Sequence, residues 1–417
     1  MTAARRHVVV AGAGIAGLTA ALALARAGYR VTVLEQAPML QETGAGIQLS
    51  PNATRVLLAL GLGERLRPHV VAPEAIRVMA GRSGREIVRI PLLDVARRYG
   101  APYWAIHRGD LQAALTAAAQ EAHDVTLRLD SRLEDYAVHA NGVTIAYRQG
   151  HRALEERALA LVGADGLWSA VAERAHGHRP PRFARRVAWR ALVPTAQVEG
   201  EFCAPIVHLW LGPGAHLVHY PVKGGTLVNI VGILHDARVP SEMRDLRDAQ
   251  QAVVSPSCDV QDGLVRHCAR TRWCEPARAL VERPARWQKW ALYHRRSPFP
   301  GGRGPVTLIG DAAHPMLPFL AQGAAMAIED AAVLADRLQR YGDDPADALR
   351  AYEGARWHRV ARAQQVSRRH GLLYALAGPA AALRDLHLRR LGGEALLARQ
   401  DWLYSWQLPE LLRDRPP

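Results

Sequence analysis

The chain has 417 residues, 49% of them hydrophobic and 22% charged, a length that predicts two or three domains. Its formal net charge of +14 is carried mainly by scattered arginines rather than by a basic block with interleaved aromatics, which argues against a nucleic-acid-binding protein. The cysteines show neither a disulfide framework nor a metal-ligand spacing, so we expect reduced thiols, no metal and a cytoplasmic location: Cys203, Cys258, Cys268 and Cys274.

The first element is a strand, a tight turn and a helix. Residues 8–11 form an apolar β run, and residues 18–27 an Ala/Leu-rich helix, with Gly12, Gly14 and Gly17 between them. The first glycine permits the turn, the second lets a pyrophosphate approach the backbone, and the third lets the helix pack close to the strand. The free N–H groups at the helix start would face the phosphates of a dinucleotide.

The next strand, residues 30–34, ends in Glu35 and Gln36, where an acidic side chain suits the ribose of a bound dinucleotide. A competing interpretation is a signal peptide or membrane span, because residues 8–25 lack charge and follow two arginines. The three glycines in that stretch and the strand ending in Glu35 favour the dinucleotide site and no membrane span.

Further elements alternate between loops, strands and helices. A glycine-rich loop is predicted at 44–52, where it contains Gly46 and Ile47, and a helix follows at 53–60. Strands are predicted at 77–79 and 86–90, and the segment 103–107 leads to a helix that begins at Arg108. A β-meander of 125–129, 136–139 and 143–147 is followed by a strand at 159–162. That last strand leads directly into Gly163-Ala164-Asp165-Gly166.

From about residue 183 to 286 the pattern is mainly β. Strands are predicted at 206–211, 215–220 and 226–233, in a twisted antiparallel sheet covered by the helices after Ser241. Residues 306–309 then lead into Gly310-Asp311-Ala312-Ala313-His314-Pro315, and the remainder is largely helical.

These glycine and aspartate segments, in this order, resemble the single-component aromatic flavoprotein monooxygenases of the para-hydroxybenzoate hydroxylase fold. The chain is most similar to the group of salicylate hydroxylase, 3-hydroxybenzoate 6-hydroxylase and 6-hydroxynicotinate 3-monooxygenase. Besides the segments above, the resemblance is carried by Gly46-Ile47-Gln48-Leu49-Ser50-Pro51-Asn52, His107-Arg108-Gly109-Asp110-Leu111, Trp189-Arg190, His216-Leu217-Val218-His219-Tyr220-Pro221 and the stretch from Gly310 to Asp330.

The resemblance implies an α/β protein with a Rossmann-like FAD-binding domain, an inserted and mainly antiparallel β substrate domain, and a helical C-terminus. The expected boundaries are 1–75, 102–180 and 287–345 for the FAD-binding domain, 76–101 and 181–286 for the substrate domain, and 346–417 for the helical region. A monomer or a homodimer is expected.

The resemblance also implies which residues contact FAD. Arg108 is expected near the pyrophosphate and ribityl chain, and Asp311 on the ribityl chain. The start of a helix at Gln322, Gly323 and Ala324 would direct N–H groups at the flavin N1–O2 edge, where reduced flavin is anionic. The other expected contacts are Gly12, Gly14, Gly17, Glu35, Gln36, Gly46, Ile47, Asp165, Gly166 and Pro315.

The implied reaction is hydroxylation of a phenolic aromatic carboxylate with NADH or NADPH and O2, through a flavin C4a-hydroperoxide. His216 is the expected base, and Tyr220, on the same face of its strand, is expected to orient the substrate or extend a proton relay. His314 is expected to have a structural or flavin-positioning role. Arg190 and His208 remain alternative anchors for the substrate carboxylate.

One departure concerns the hydride donor. Where the family places an arginine a few residues after Asp165-Gly166, this chain has Ala172, with Arg174 out of register. The donor site, and NADH against NADPH, therefore stay open. The alternatives are an FAD-dependent dehydrogenase or reductase that inserts no oxygen, and a flavin-binding protein without catalysis.

Overall fold

A computed structural model describes residues 6–40, 45–198, 200–236, 253–255, 261–298, 301–342 and 344–413. The predicted start of the glycine-rich loop at Gly44, the residues directly after Ser241 and Cys258 lie outside these ranges.

A five-stranded parallel sheet lies at the centre of the dinucleotide-binding half. Its strands, in order across the sheet, are Val306–Leu308, Ala160–Gly163, His7–Ala11, Arg30–Leu34 and Val125–Arg128. Most strand residues are apolar and buried, as expected of a parallel sheet that is covered on both faces. The helices Ile15–Arg26, Arg108–Glu121 and Gly323–Arg340 share its apolar core.

The predicted turns follow three adjacent strands of this sheet. Gly12 comes directly after the strand His7–Ala11, Asp165 shortly after Ala160–Gly163, and Gly310 shortly after Val306–Leu308. Because the strands are parallel, their carboxyl ends meet at one edge, where ligands of such sheets bind. Three segments that are distant in sequence are therefore neighbours in the fold.

The predicted β-meander was wrong in one strand. Its members are Ser131–His139, Gly142–Gln149 and Arg152–Ala158. Val125–Arg128 instead pairs in parallel with Arg30–Leu34, at the edge of the parallel sheet. Apolar alternation shows that a segment is a strand, but it does not show which neighbour the strand will have.

An eight-stranded sheet forms the second layer. In order across the sheet its strands are Val253–Ser255, Trp287–His294, Arg182–Pro194, Leu227–His235, Ala215–Val222, Ile206–Gly212, Ala75–Ala80 and Glu86–Pro91. The pairs are antiparallel except for Ile206–Gly212 with Ala75–Ala80. Trp287–His294 pairs in this sheet although we assigned residue 287 onward to the other domain; the domain boundaries themselves stay a prediction.

A small sheet joins the two layers. Gly46–Leu49 pairs with Trp104–His107, which also pairs with Val70–Val71. This pairing places Gly46 opposite His107, and hence beside Arg108 at the start of its helix.

The remaining α-helices among the described residues include a long C-terminal series, as predicted. They are Pro51–Ala59, Gly63–Leu66, Val95–Tyr99, Ala170–His176, Gly200–Cys203, Arg266–Arg270, Glu275–Glu282, Pro345–Tyr374, Gly378–Ala398, Asp401–Tyr404 and Glu410–Arg413.

Within the described ranges Cys203, Cys268 and Cys274 form no disulfide, and no cluster of potential ligands could hold a metal ion. The same ranges contain no helix that is both long and apolar enough to cross a membrane.

Candidate active site

The first glycine turn has the tight packing that its motif requires. Gly12 has φ +104°, and a Cβ there would lie 2.5 Å from the carbonyl oxygen of Ala164. A Cβ on Gly17 would lie 1.9 Å from the Gly12 oxygen. Around Gly14, by contrast, a Cβ would find no atom within 4 Å. The backbone at Gly14 is thus open to a phosphate, while its neighbours close the turn.

Glu35 lies against this turn. Its carboxylate accepts hydrogen bonds from the backbone N–H of Ala13 at 2.8 Å and of Ala37 at 2.9 Å. A carboxylate has about four acceptor positions, so the two that remain suit ribose hydroxyls. Gln36 is exposed directly beside it.

Asp165 is used mainly to build its own loop. Its carboxylate accepts from the Ser169 hydroxyl at 2.5 Å and from the Val171 N–H at 3.1 Å, which fixes the start of the helix Ala170–His176. Burial raises the pKa of Asp165, and these hydrogen bonds oppose the shift. Gly166, with φ +78°, completes the turn.

The charges of Arg108 and Asp311 attract each other at the carboxyl edge of the parallel sheet. Burial lowers the pKa of Arg108 and raises that of Asp311, and each charge partly offsets the shift of the other. Within the described part of the chain no group donates a hydrogen bond to the Asp311 carboxylate. A carboxylate in this position can accept hydrogen bonds from the hydroxyl groups of a ligand.

The helix Gly323–Arg340 presents its N-terminus to the same edge. The first N–H groups of a helix have no intrahelical acceptor, so those of Gly323 and Ala324 are available to a ligand. The Gln322 side chain is already engaged, because its amide donates to the Ser50 hydroxyl at 2.8 Å and accepts from Asn52 at 3.1 Å. Gln322 therefore offers a ligand its backbone rather than its amide.

Sequence reasoning missed a buried charge network behind this helix. Arg356 contacts Asp330 at 2.7 Å and Glu329 at 2.6 Å, and Arg359 binds Glu329 through two contacts of 2.7 Å. Asn52 donates to Glu329 at 2.5 Å, which joins the network to the Gln322 amide. The only signal in the sequence was an acidic pair on an otherwise apolar helix face.

His314 belongs to this network through Asp330. Its Nε2 lies 2.5 Å from the Asp330 carboxylate. Although burial acts to raise it, His314 and Arg356 hold the pKa of Asp330 down at about 2. Pro315, directly after His314, accepts from the Gln364 amide at 3.1 Å.

His216 and Tyr220 lie on one buried face of the large sheet, as predicted from strand alternation. The His216 ring makes edge contacts with Phe319 and Tyr374, each at 5.3 Å between ring centroids. Its Nδ1 has no partner among the described residues. Burial, assisted by Arg186, lowers the pKa of His216 to about 3, so the imidazole is neutral near pH 7.

Tyr220 lies at the other end of that face. Its ring packs so closely on Gly46 that a Cβ there would lie 2.7 Å from Tyr220 Cε2. Gln48 hydrogen-bonds Tyr220 and accepts from the Tyr103 hydroxyl at 2.6 Å. His216 and Tyr220 are four residue steps apart along the strand, which places their Cα atoms about 13 Å from each other. A direct proton relay between these two residues is therefore excluded in this arrangement.

The two candidate carboxylate anchors lie on opposite faces of the sheet. Arg190 pairs with Val231, which also pairs with Val218, so Arg190 shares the face of His216 and Tyr220. Its guanidinium lies 5.3 Å from the Trp290 ring centroid, and its Nε is buried without a partner in the described structure.

His208 lies on the far face. It pairs with His219, and the two rings stack at 4.4 Å. The expectation that His208 could anchor the substrate was therefore wrong, because strand register directs it away from the face of His216.

FAD fits this edge of the sheet on two observations. The open backbone at Gly14 and the exposed N–H groups at Gly323 match anionic groups. The Asp311 carboxylate, without a donor in the described structure, matches a ribityl hydroxyl. The backbone of Gly46 and Ile47 separates this edge from Tyr220 and the buried face.

A family model with the description "FAD binding domain" matches residues 5–216 and 266–369. The 3-hydroxybenzoate 6-hydroxylase 1 of Aquipseudomonas alcaligenes is 37% identical over 97% of this chain and 98% of its own length. The 6-hydroxynicotinate 3-monooxygenase of Bordetella bronchiseptica is 35% identical over 87% of this chain and 90% of its own.

Solved structures share the fold. Klebsiella pneumoniae HpxO complexed with FAD and uric acid has a TM-score of 0.82 at 24% identity, over 95% of this chain and 97% of that one. A salicylate hydroxylase substrate complex has a TM-score of 0.79 at 24% identity, over 99% and 98%.

Proposed function

Because the chain belongs to the FAD-binding-domain family and is an FAD-dependent aromatic hydroxylase, we propose that it hydroxylates a phenolic aromatic carboxylate of the salicylate or hydroxybenzoate type with NAD(P)H and O2. The observation that carries this proposal is the buried sheet face that holds a neutral imidazole, His216, and an unneutralised guanidinium, Arg190. Relatives named for hydroxybenzoate and hydroxynicotinate chemistry support the same substrate class.

The proposed chemistry divides between the cofactor and the chain. FAD, when bound, supplies transfer of one oxygen atom from O2 after reduction by NAD(P)H. The backbone of Gly14, Gly323 and Ala324 and the carboxylate of Asp311 would hold it. Glu35 would hold the ribose, and Arg108 would balance phosphate charge.

His216 is the proposed base for the phenolic hydroxyl. A phenolate is a much stronger ring nucleophile than a phenol, so a base near this hydroxyl speeds attack on an electrophilic oxygen. The low pKa of His216 keeps the imidazole unprotonated and able to accept the proton. The imidazolium would be stabilised by the phenolate it has just formed, at a position that is buried beside Phe319 and Tyr374.

Arg190 is the proposed anchor of the substrate carboxylate. Its Nε is buried without a partner, burial lowers its pKa, and no acid of the described residues pairs with it. Such a charge is costly unless an anion pairs with it. Tyr220 interacts electrostatically with Arg190 and packs on Gly46, so it would orient the aromatic ring of the substrate beside the flavin.

The test is a panel of hydroxybenzoates and hydroxynicotinates with the FAD-loaded protein, following NADH oxidation and product mass. We expect at least one phenolic carboxylate to stimulate NADH oxidation and to give a hydroxylated product. A product without added oxygen would identify a dehydrogenase or reductase. Flavin that NADH and NADPH fail to reduce, with or without aromatic ligand, would identify a binding protein.

We also propose that the protein acts in the cytoplasm. The absence of a disulfide at Cys203, Cys268 and Cys274 supports a reducing compartment, and NAD(P)H is available there. Fractionation of the native host should find the protein with cytoplasmic markers.

A further inference from the structure

A cavity of about 430 Å³ lies away from the sheet face of His216. It opens between the C-terminal end of the helix Ala170–His176 and the segment that precedes the strand Val306–Leu308. Its lining consists of Ala175, His176, Gly177, Arg179, Gly301, Gly302 and Arg303.

The cavity has an excess of positive charge. Arg179 and Arg303 are exposed, and no described acid pairs with either. The pKa of His176 is lowered by burial and then by four surrounding arginines, Arg179, Arg303, Arg295 and Arg350. The nearby carboxylate of Glu353 is already engaged, with Arg350 at 2.9 Å and the Thr307 hydroxyl at 2.7 Å. An anion entering the cavity would therefore meet Arg179 and Arg303, which pair with no described acid.

Glycines form part of the cavity wall, and of these Gly177 is exposed. Gly177 has φ +72°, and a Cβ there would find no atom within 4 Å. A Cβ on Gly302 would lie 2.0 Å from the Val306 oxygen, so this wall admits no side chain. Close approach of backbone to a ligand is a frequent reason for glycine in such loops.

The cavity is connected to the cofactor edge of the sheet. The backbone N–H of Arg295 lies 3.4 Å from the Pro315 oxygen, while its guanidinium donates to the Arg179 carbonyl. On the other side, the seven-residue helix Ala170–His176 spans about 10 Å from the loop that Asp165 caps. The cavity thus lies about 10 Å from the Asp165 loop at the cofactor edge, a distance shorter than an extended dinucleotide.

The arginine position of the family cannot serve this purpose in this chain. Ala172 is buried in the apolar core under the helix Ala170–His176. Arg174 points to the surface and pairs with Asp135 at 2.8 Å. If the chain consumes a nicotinamide dinucleotide, cations other than an arginine at position 172 must bind its phosphates.

We propose that the cavity between His176, Arg179 and Arg303 binds a phosphate group of the nicotinamide dinucleotide that reduces the flavin. This inference rests on the proposed function, because it takes NAD(P)H as the hydride donor. Arginine side chains match phosphate oxygens through paired N–H donors.

The test uses the FAD-loaded protein with Arg179→Gln and Arg303→Gln, singly and together, and ADP-ribose as the probe. ADP-ribose carries the pyrophosphate but no nicotinamide, so calorimetric titration measures binding without turnover. We expect about tenfold weaker binding for each substitution, the loss typical of a charged hydrogen-bond partner. Arg283→Gln, which removes an exposed arginine from another surface, should bind like the wild type and controls for net charge.

Two nucleotides distinguish which phosphate is held. If the cavity binds the pyrophosphate, the dissociation constants of NADH and NADPH in anaerobic stopped-flow reduction rise together. If it binds the 2′-phosphate, ADP-ribose and NADH are unaffected and only NADPH and 2′-phospho-ADP-ribose bind more weakly. In either case FAD content, melting temperature and affinity for the aromatic substrate stay unchanged.

Variants that bind both probes and both nucleotides like the wild type, in a protein that hydroxylates, would overturn this inference and leave the proposed function standing. A wild type that binds ADP-ribose in an arginine-dependent way but hydroxylates no aromatic compound would contradict the proposed function instead.

Discussion

A neutral, buried imidazole is an unusual base, because burial that keeps His216 unprotonated also weakens it. A phenolate formed beside the ring would relieve this weakness, because its negative charge would stabilise the imidazolium. His216 is therefore suited to a proton transfer that occurs with substrate bound and the pocket closed by Phe319 and Tyr374. A substitution of His216 should therefore change turnover without changing FAD binding.

His216→Asn should lower kcat for a phenolic carboxylate by about 100-fold or more, the usual contribution of a positioned base. FAD content and aromatic-substrate affinity should be retained, because Asn keeps a polar side chain of smaller size. His208→Asn, on the far face of the same sheet, is the matched control. Steady-state kinetics with product quantification measures the effect; wild-type coupled turnover in the variant would exclude His216 as the base.

Arg190→Met should weaken the binding of a phenolic carboxylate by about 10-fold to 100-fold, the value of a charged hydrogen bond. A phenol without the carboxylate should bind the variant as well as it binds the wild type. Equilibrium titrations of flavin absorbance with both ligands provide the comparison. Equal losses for the two ligands would show that Arg190 has only a packing role on Trp290.

The helix Gly323–Arg340 joins the cofactor edge to the C-terminal helices. Its N-terminus offers N–H groups to a ligand, while Glu329 and Asp330 in its middle bind Arg356 and Arg359 of the helix Pro345–Tyr374. Arg359 also donates to the backbone carbonyls of Trp402 and Leu403. The position of the helix N-terminus thus depends on residues far along the chain.

Arg356→Met should lower the free energy of unfolding by about 3–5 kcal/mol, because it removes the guanidinium that two buried carboxylates share and leaves Asp330 only with His314 and Glu329 only with Arg359 as charged partners. It should also weaken FAD binding, since the network fixes Asn52 and Gln322. Urea unfolding and FAD titration measure the two effects. Arg97→Met, which breaks the exposed pair with Asp94, is the control and should change neither. An unchanged stability of Arg356→Met would contradict the assigned network.

The sequence predicted those elements whose cause is local. Glycine spacing predicted the turn at Gly12, and strand alternation placed His216 and Tyr220 on one face. Pairing partners are not local, so Val125–Arg128 was assigned to the wrong sheet and His208 could not be separated from Arg190. The network around Arg356 joins side chains that only the packed helices bring together.

The whole molecule buries several histidines in neutral form. His219 stacks on His208 between Phe202 and Trp210, and burial lowers its pKa well below the ordinary value. Burial and Arg77 lower the pKa of His208 to about 4. Since the folded state binds fewer protons than the unfolded chain, this contribution to stability is complete above the unfolded pKa and is lost as the pH falls below it.

Stability should therefore fall between about pH 6 and pH 4. Each such histidine contributes a loss of about 1.4 kcal/mol per pH unit while it is charged only in the unfolded chain. Urea unfolding at several pH values measures the slope of the free energy of unfolding against pH. His219→Phe should reduce this slope by about 1.4 kcal/mol per pH unit, the value for one proton. A stability independent of pH over this interval would contradict the neutral, buried state of these rings.

We propose that the turns after three parallel strands bind one FAD beside the buried sheet face of His216, where a phenolic carboxylate receives oxygen. A single turnover of the reduced, FAD-loaded protein with ¹⁸O2 and a substrate from the panel tests this most directly. We predict one ¹⁸O atom in the new hydroxyl group of the product. A product without label, or reoxidised flavin with unmodified substrate for every phenolic carboxylate in the panel, would contradict it.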